Sequence, residues 1–399
     1  MLILTREKKI YEAIHETKSL VIKEDSQKSY TPYTTKKGTP TWELWNELIT
    51  AQVGCFKPDD TIVLWNPYAP LILLQDFKVP ARNITLLGLP GEDTKKDLAN
   101  QLGINYTEIN KGNLIMMRNS FDYVIKNSPW DRNINIPGVT KDFEGTYPYH
   151  AFGQIGYDLA EPGGMVIDIL PSNWLGVNSH KGFREWLLEK FDILEIRIVN
   201  NSDRQAFDLS MNKDVVIMIA RKNSNPDNSK VRFRYHDEQV FDLDLDYVNK
   251  TYGQWLLFKG KTGFDIVESV MSHSQKPMDE NSRRQSKFYV EGEILVHDRD
   301  KVDPARNWTL NQSMDIVDAF RCNYDSKQDA IDHYEWYKSY HFAYVFSSIK
   351  AHPKNMSEYV KLTGYHKFDK DKNGNIDINK TFKLSQSQQD TINKWKLSK

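Results

Sequence analysis

Apolar residues in this chain fall into short blocks, and between Asp60 and Arg221 those blocks alternate with segments of helical period. Thr61-Ile62-Val63-Leu64-Trp65 is an apolar run too short for a helix, and it ends in Asn66-Pro67-Tyr68. That combination predicts a buried strand running into a turn. Ile84 to Leu87, Tyr106 to Ile109 and Phe121 to Ile125 predict three more strands; Met165 to Leu170, Ile193 to Val199 and Asp214 to Arg221 complete the set. Helical segments at 94–102, 149–159 and 182–190 lie between them, the last one clearly amphipathic. Strands alternating with helices of this length predict an α/β fold: a Rossmann-like, doubly wound, mostly parallel sheet with ligands at the carboxyl ends of the strands.

The pattern changes on either side. Residues 5–28 are charged and mildly amphipathic, which predicts one helix and a polar link. Thr39 is placed to cap a helix that accepts Pro40 in its first turn and carries Trp42, Leu44, Trp45, Leu48 and Ile49 on one face. After Arg221 comes the polar stretch Lys222 to Lys230, then a short strand at 231–235, scattered polar loops, and a long helix over 327–349. A polar linker at 367–380 leads to a last helix at 385–395. The expected division is therefore a helical segment at 1–27, an α/β domain at 28–222 and a smaller mixed domain at 223–399.

Composition narrows the function without naming it. Over 399 residues, Lys+Arg 53 and Asp+Glu 54 leave a net charge of −1, so any nucleic-acid partner must meet positive charge gathered in a cleft. The Arg283-Arg284 pair is one candidate phosphate contact and equally an ordinary surface pair. Cys55 and Cys322 are too far apart in sequence to suggest a disulfide or metal framework, which points to reduced thiols in a cytoplasmic protein. No apolar run reaches membrane-spanning length, and Met1 to Lys9 lacks a signal-peptide core. The ten histidines show no paired metal spacing, and His297-Asp298-Arg299-Asp300 reads as a solvated loop. Asp369 to Asp377 matches part of a calcium-binding loop, but Lys380 replaces its bidentate carboxylate, so an exposed hairpin turning at Asn373-Gly374 is expected, with no metal.

Candidate chemistry concentrates at Asn127-Ser128-Pro129-Trp130, directly after the fourth strand. The Asn127 side-chain oxygen and the Ser128 carbonyl form an acceptor pair for both hydrogens of an exocyclic amine, Pro129 stiffens the turn, and Trp130 offers a face for stacking. Read alone, the same residues also make a plain Ser-Pro turn at a strand end. With their neighbours they resemble the gamma-class (TaqI-like) DNA adenine-N6 methyltransferases and related type II restriction–modification methylases, Ser128 standing where that family carries a first proline. Leu170-Pro171-Ser172, the Phe183 to Leu188 helix, the Thr39-Pro40 element and Phe207 before the last strand are similar to family elements in the same order. The resemblance implies S-adenosylmethionine as methyl donor, double-stranded DNA as partner, a flipped adenine held between Trp130 and Phe207, and a C-terminal target-recognition domain. It also implies donor contacts near Thr39, Asn66, Glu92 and Asn113.

The donor turns depart from the family. Asn66-Pro67-Tyr68-Ala69-Pro70 has no glycine where the family's first turn needs close backbone approach. Gly88-Leu89-Pro90 has no acid at the end of the second strand, with Glu92 following, and Gly112-Asn113 replaces an aspartate after the third. Three readings follow. One is a DNA adenine-N6 methyltransferase, acting alone or with a partner subunit; the second is an inactive homologue that serves as a DNA-binding or protein-interaction module; the third is an enzyme that binds an altered group donor in the reshaped pocket.

Overall fold

Strand β1 (Ile62–Leu64) is fully buried along its whole length and sits between two parallel neighbours. Val63 is in register with Thr85 of β2 (Ile84–Gly88) on one side and with Val124 of β4 (Phe121–Asn127) on the other. In the computed structural model, residues 56–397 are described except 66–72, 75, 128–138, 140, 144–146, 177–179, 200–214, 236–238, 254, 256–259, 276–286, 294–307, 313–318, 350–359 and 361–362. The helices expected at 5–28 and after Pro40 lie outside the described residues. β3 (Asn105–Glu108) extends the sheet beyond β2, and β5 (Ala160–Pro171) extends it beyond β4, both in parallel.

Beyond β5 the direction changes. β7 (Val215–Lys222) inserts antiparallel between β5 and β6 (Phe191–Ile198), and β8 (Val231–Tyr235) runs parallel to β6. With β9 (Gln239–Leu243) the order is β3-β2-β1-β4-β5-β7-β6-β8-β9. This is the Rossmann-like, doubly wound, mostly parallel sheet that the alternation of elements predicts. Among the described residues, the helices between its strands include α1 (Asp93–Leu102), α2 (Lys111–Met116), α3 (Pro148–Leu159) and α4 (Lys181–Lys190). Pro148 opens α3 at a position where its missing N–H costs nothing, and Gly103 closes α1 with a φ of 68°. Ile62, Leu64, Ile84, Leu86, Leu98, Ile125, Ile167, Ile217 and Ile219 make the dry centre of the sheet.

The chain divides into two compact units. The first comprises Met1–Trp174, Ser179–Asp237 and Asp242–Tyr247, and the second Leu175–Asn178, Glu238–Phe241 and Val248–Lys399. The second holds a separate antiparallel sheet of β10 (Phe288–Glu293), β11 (Trp308–Leu310) and β12 (Ala319–Tyr324), with β10 in the middle. Its helices include α6 (Gly260–Ser272), α7 (Lys327–Tyr337), α8 (Tyr340–Ile349), α9 (Ile378–Thr381) and α10 (Gln386–Leu397), after the short α5 (Leu245–Tyr252) that spans the division.

Two expectations for this half are corrected. The single helix over 327–349 is two helices, because Ser339 turns its hydroxyl onto the Trp336 carbonyl (2.6 Å) and receives the Phe342 N–H (3.1 Å), capping α8. The polar linker at 367–380 is structured: Lys370 pairs with Ile376, and the Asp371 carboxylate accepts from the backbone N–H groups of Asn373 and Asn375 around Gly374 at φ 83°. That is the hairpin expected from Asn373-Gly374. Among the described residues no helix is long and apolar enough to cross a membrane, and no group of three or more metal-ligating side chains is placed to hold an ion.

Candidate active site at the strand ends

The strand order reverses between β1 and β4: from β1 the chain builds outward through β2 to β3, then returns to place β4 on the other flank. At such a switch point the connections leave in opposite directions and open a crevice beyond the carboxyl ends of the strands. The neighbouring strands β3, β2, β1 and β4 all end on that side, and the three sequence-predicted site residues that the structure describes stand at or just after the ends of β2, β3 and β4.

At the end of β1, the Trp65 N–H donates to the Ile125 carbonyl (3.0 Å), so the residue is held in the β1–β4 ladder. Its ring meets the edge of Phe152 from α3 at 4.5 Å, and the Lys95 ammonium from α1 stands 3.5 Å from its centroid. At the end of β2, Gly88 leaves no room for a side chain, since an added Cβ would run into the Tyr106 ring. The acid comes instead from Glu92, whose Oε2 accepts the Leu89 N–H (2.7 Å) and the Lys95 ammonium (3.0 Å). The turn therefore folds a carboxylate back to the strand end that carries none of its own. Burial and the neighbouring Glu108, Glu92 and Asp93 push the Tyr106 phenol up to about 12, which keeps it neutral. Burial draws Lys95 below its ordinary value, against the opposing pull of Glu92.

At the end of β3, Asn113 is fixed twice. Its N–H donates to the Asn110 side chain (2.9 Å), which caps α2, and its Nδ2 donates to the Glu108 carbonyl (2.8 Å). That leaves the side-chain oxygen as the acceptor end of the amide. Asn127 closes β4, opposite Ile169 of β5. Lys126, one residue earlier, points to the other face and forms a buried ion pair with Asp168, its register partner on β5. Gly156 allows α3 to close over this pair: a Cβ there would stand 2.8 Å from the Lys126 Cε. Burial lowers Lys126 from its ordinary value while Asp168 opposes.

A second buried polar group lies at the same end of the sheet, at the start of α3 and just before α4. His150 Nε2 and His180 Nδ1 are 2.9 Å apart, and the Tyr149 hydroxyl lies 3.2 Å from His180 Nε2. Both histidines are fully buried, and burial with His180 and Lys141 pushes His150 down to about 3.

Glu92 thus follows β2, Asn113 follows β3 and Asn127 ends β4, all at the carboxyl ends of these parallel strands. Ser128, Pro129, Trp130, Phe207, Thr39, Asn66, Arg283 and Arg284 lie outside the described residues. Sequence reasoning missed Trp65, Lys95, Lys126 with Asp168, and the Tyr149–His150–His180 group. Only Trp65 had a local signal, as the last residue of the first apolar run. The donor set at the β2 and β3 ends fits S-adenosylmethionine in its chemistry. Glu92 Oε1 makes no bond to the described residues and is available to hydroxyls, and the Asn113 oxygen is available to an amine.

Residues 68–207 match the family model "Eco57I restriction-modification methylase", which bears out the resemblance to restriction–modification methylases over that stretch. No curated protein matches the sequence. Among solved structures the chain is similar to the type IIG restriction endonuclease BpuSI, at 11% identity and TM-score 0.48, over 95% of this chain and 62% of that one. It is also similar to the M protein of the type I restriction enzyme EcoKI, at 13% identity and TM-score 0.39, over 78% of this chain and 73% of that one. A Listeria monocytogenes protein assigned to the class I S-adenosylmethionine-dependent methyltransferases matches at 12% identity and TM-score 0.43, over 57% of this chain and 74% of that one. In two further type I restriction–modification structures the chain spans 44% and 52% of its counterpart.

Proposed function

We propose that this protein methylates the exocyclic amine of adenine in double-stranded DNA, with S-adenosylmethionine as donor. The observation that carries the reading is the place of Asn127: it ends β4 at the switch point of the sheet, inside the segment that matches the restriction–modification methylases. S-adenosylmethionine supplies an electrophilic methyl group when bound, with Glu92 toward its hydroxyls and Asn113 toward its amine.

The chain's own task is then to present the base. A stacked adenine must first leave the duplex, at a cost of roughly a few kcal/mol. Trp130 and Phe207 stack on the extruded ring, while the Asn127 oxygen and the Ser128 carbonyl accept the two amine hydrogens. That draws the nitrogen lone pair out of conjugation and aims it away from the ring. Alignment, rather than a strong base, supplies most of the rate. The second unit, with Arg283 and Arg284, is assigned to DNA recognition, alone or with a partner subunit.

A second reading, an inactive homologue acting as a DNA-binding or protein-interaction module, is favoured by the Lys95 ammonium seated on Trp65 beside the donor place. The two separate in one measurement: calorimetric titration with S-adenosylmethionine, with and without duplex DNA, followed by transfer of radiolabelled methyl groups into unmodified DNA. Donor binding with label appearing in N6-methyladenine supports the enzyme. No heat at millimolar donor under either condition sinks it.

A further inference from the structure

The Lys95 ammonium is among the largely buried groups that the proposed chemistry does not use. It stands 3.5 Å over the Trp65 ring and 3.0 Å from Glu92 Oε2, and the lysine side chain is 13% exposed. Lys95 is the third residue of α1, where the helix N-terminus carries partial positive charge and disfavours a cation. Helix stability therefore does not put it there. What holds it is an aromatic face closed on one side by a carboxylate, and both groups select for positive charge in a partly dry place. The carboxylate is itself pinned by the Leu89 N–H, and the ring by the β1–β4 ladder and by Phe152. Both walls of this place are thus held by the fold independently of the Lys95 ammonium between them.

The geometry points to a cation-binding box made by Trp65 and Glu92, built for an organic sulfonium or ammonium group and closed at rest by this chain's own Lys95. The inference rests on the proposed function for the identity of its ligand, since the box lies at the β1 end of the crevice assigned to the donor, and the donor's sulfonium is its positive centre. Lys95 then acts as an internal competitor. It must leave the ring before a charged donor seats fully, whereas the demethylated product, neutral at sulfur, gains nothing from the ring. Burial already holds Lys95 below its ordinary value, so giving up that ammonium costs less than for a free lysine.

The test uses the full chain and three variants, Lys95→Met, Lys95→Arg and Lys95→Met combined with Trp65→Leu, each checked for an unchanged melting profile. Binding of S-adenosylmethionine, S-adenosylhomocysteine and trimethylsulfonium is measured by calorimetry. Lys95→Met is expected to tighten S-adenosylmethionine on the order of tenfold, the scale of a desolvated cation–π contact, and to shift S-adenosylhomocysteine much less. It should also acquire measurable binding of trimethylsulfonium. Lys95→Arg should stay within about threefold of the parent, and Trp65→Leu should abolish the gain, both on the same scale. Equal shifts for the charged and neutral sulfur ligands, or weaker S-adenosylmethionine binding in Lys95→Met, would overturn the box. If Lys95→Met does not fold, Lys95→Gln takes its place with the same expectations. Trimethylsulfonium binding without any S-adenosylmethionine binding would keep the box and remove the methyltransferase reading.

Discussion

At the residue scale, the sharpest expectation concerns Asn127. Its side-chain oxygen is the group proposed to accept a hydrogen bond from the amine, and the residue sits at the half-buried end of a strand rather than in the core. Asn127→Ala should lower methyl transfer by about 100-fold or more, as removal of one preorganised polar group does in other enzymes. Its melting temperature should hold, and a variant that melts early while retaining activity would assign Asn127 to the fold instead. Lys126 and Asp168 predict the reverse pattern. Lys126→Met leaves a buried carboxylate without its cation and should cost about 3–5 kcal/mol in chemical denaturation. The double variant Lys126→Met with Asp168→Leu should recover most of that stability, because an apolar pair of similar volume suits the same dry place. These neighbours also mark what the sequence could tell. Asn127 was legible because its chemistry is local, a polar turn after an apolar run. The Lys126–Asp168 pair was not, because only the β4–β5 register brings the two residues together across 42 positions.

Elements divide along the same line. The strands β1 to β8 and helices α1, α3 and α4 follow from short apolar runs, helical period, Pro148 and Gly103, all local signals. The helices α5 and α6 and the sheet β10-β11-β12 escaped the sequence reading. Leu245–Tyr252 is rich in residues that serve strands as well as helices, and α6 begins Gly260-Lys261-Thr262-Gly263, which reads as a turn. The small sheet has no alternation long enough to announce itself; β11 is three residues long and is defined by its partner. The division of 327–349 into α7 and α8 depends on one hydroxyl. Ser339→Ala removes the cap on α8 and should cost about 1 kcal/mol, read as a shifted denaturation midpoint. Were α7 and α8 a single helix, the same substitution would be neutral or mildly stabilising, since Ala is the better interior residue. In α3, Gly156→Ala should cost about 1–3 kcal/mol, because the new methyl must push the Lys126 stem and Val166 aside.

For the molecule as a whole, each compact unit carries a buried histidine whose proton affinity is lowered by burial, and these rings are expected to weaken both units in acid. In the first unit, burial, His180 and Lys141 push His150 down to about 3; in the second, burial, His333 and His273 push His366 down to about 3. Both rings are essentially unexposed. A folded value below the unfolded 6.5 means that the unfolded chain binds a proton the folded unit refuses. Stability from these neutral rings is therefore complete above about pH 6.5 and declines as pH falls toward 3, by about 1.4 kcal/mol per pH unit for each ring. Denaturation midpoints measured from pH 7 to pH 4 should fall along that slope. His150→Phe keeps an aromatic ring among Phe143, Tyr149 and Phe183 and should flatten the acid limb of the first unit alone. His366→Phe, beside Trp336 and Phe382, should do so for the second. Because the rings belong to different units, the two variants should protect different probes: hydrogen exchange in β4 and β5 for His150→Phe, and in α7 and α8 for His366→Phe. If both variants protected both regions equally, the units would unfold as one, and the division of the chain near residues 238–248 would have no thermodynamic meaning.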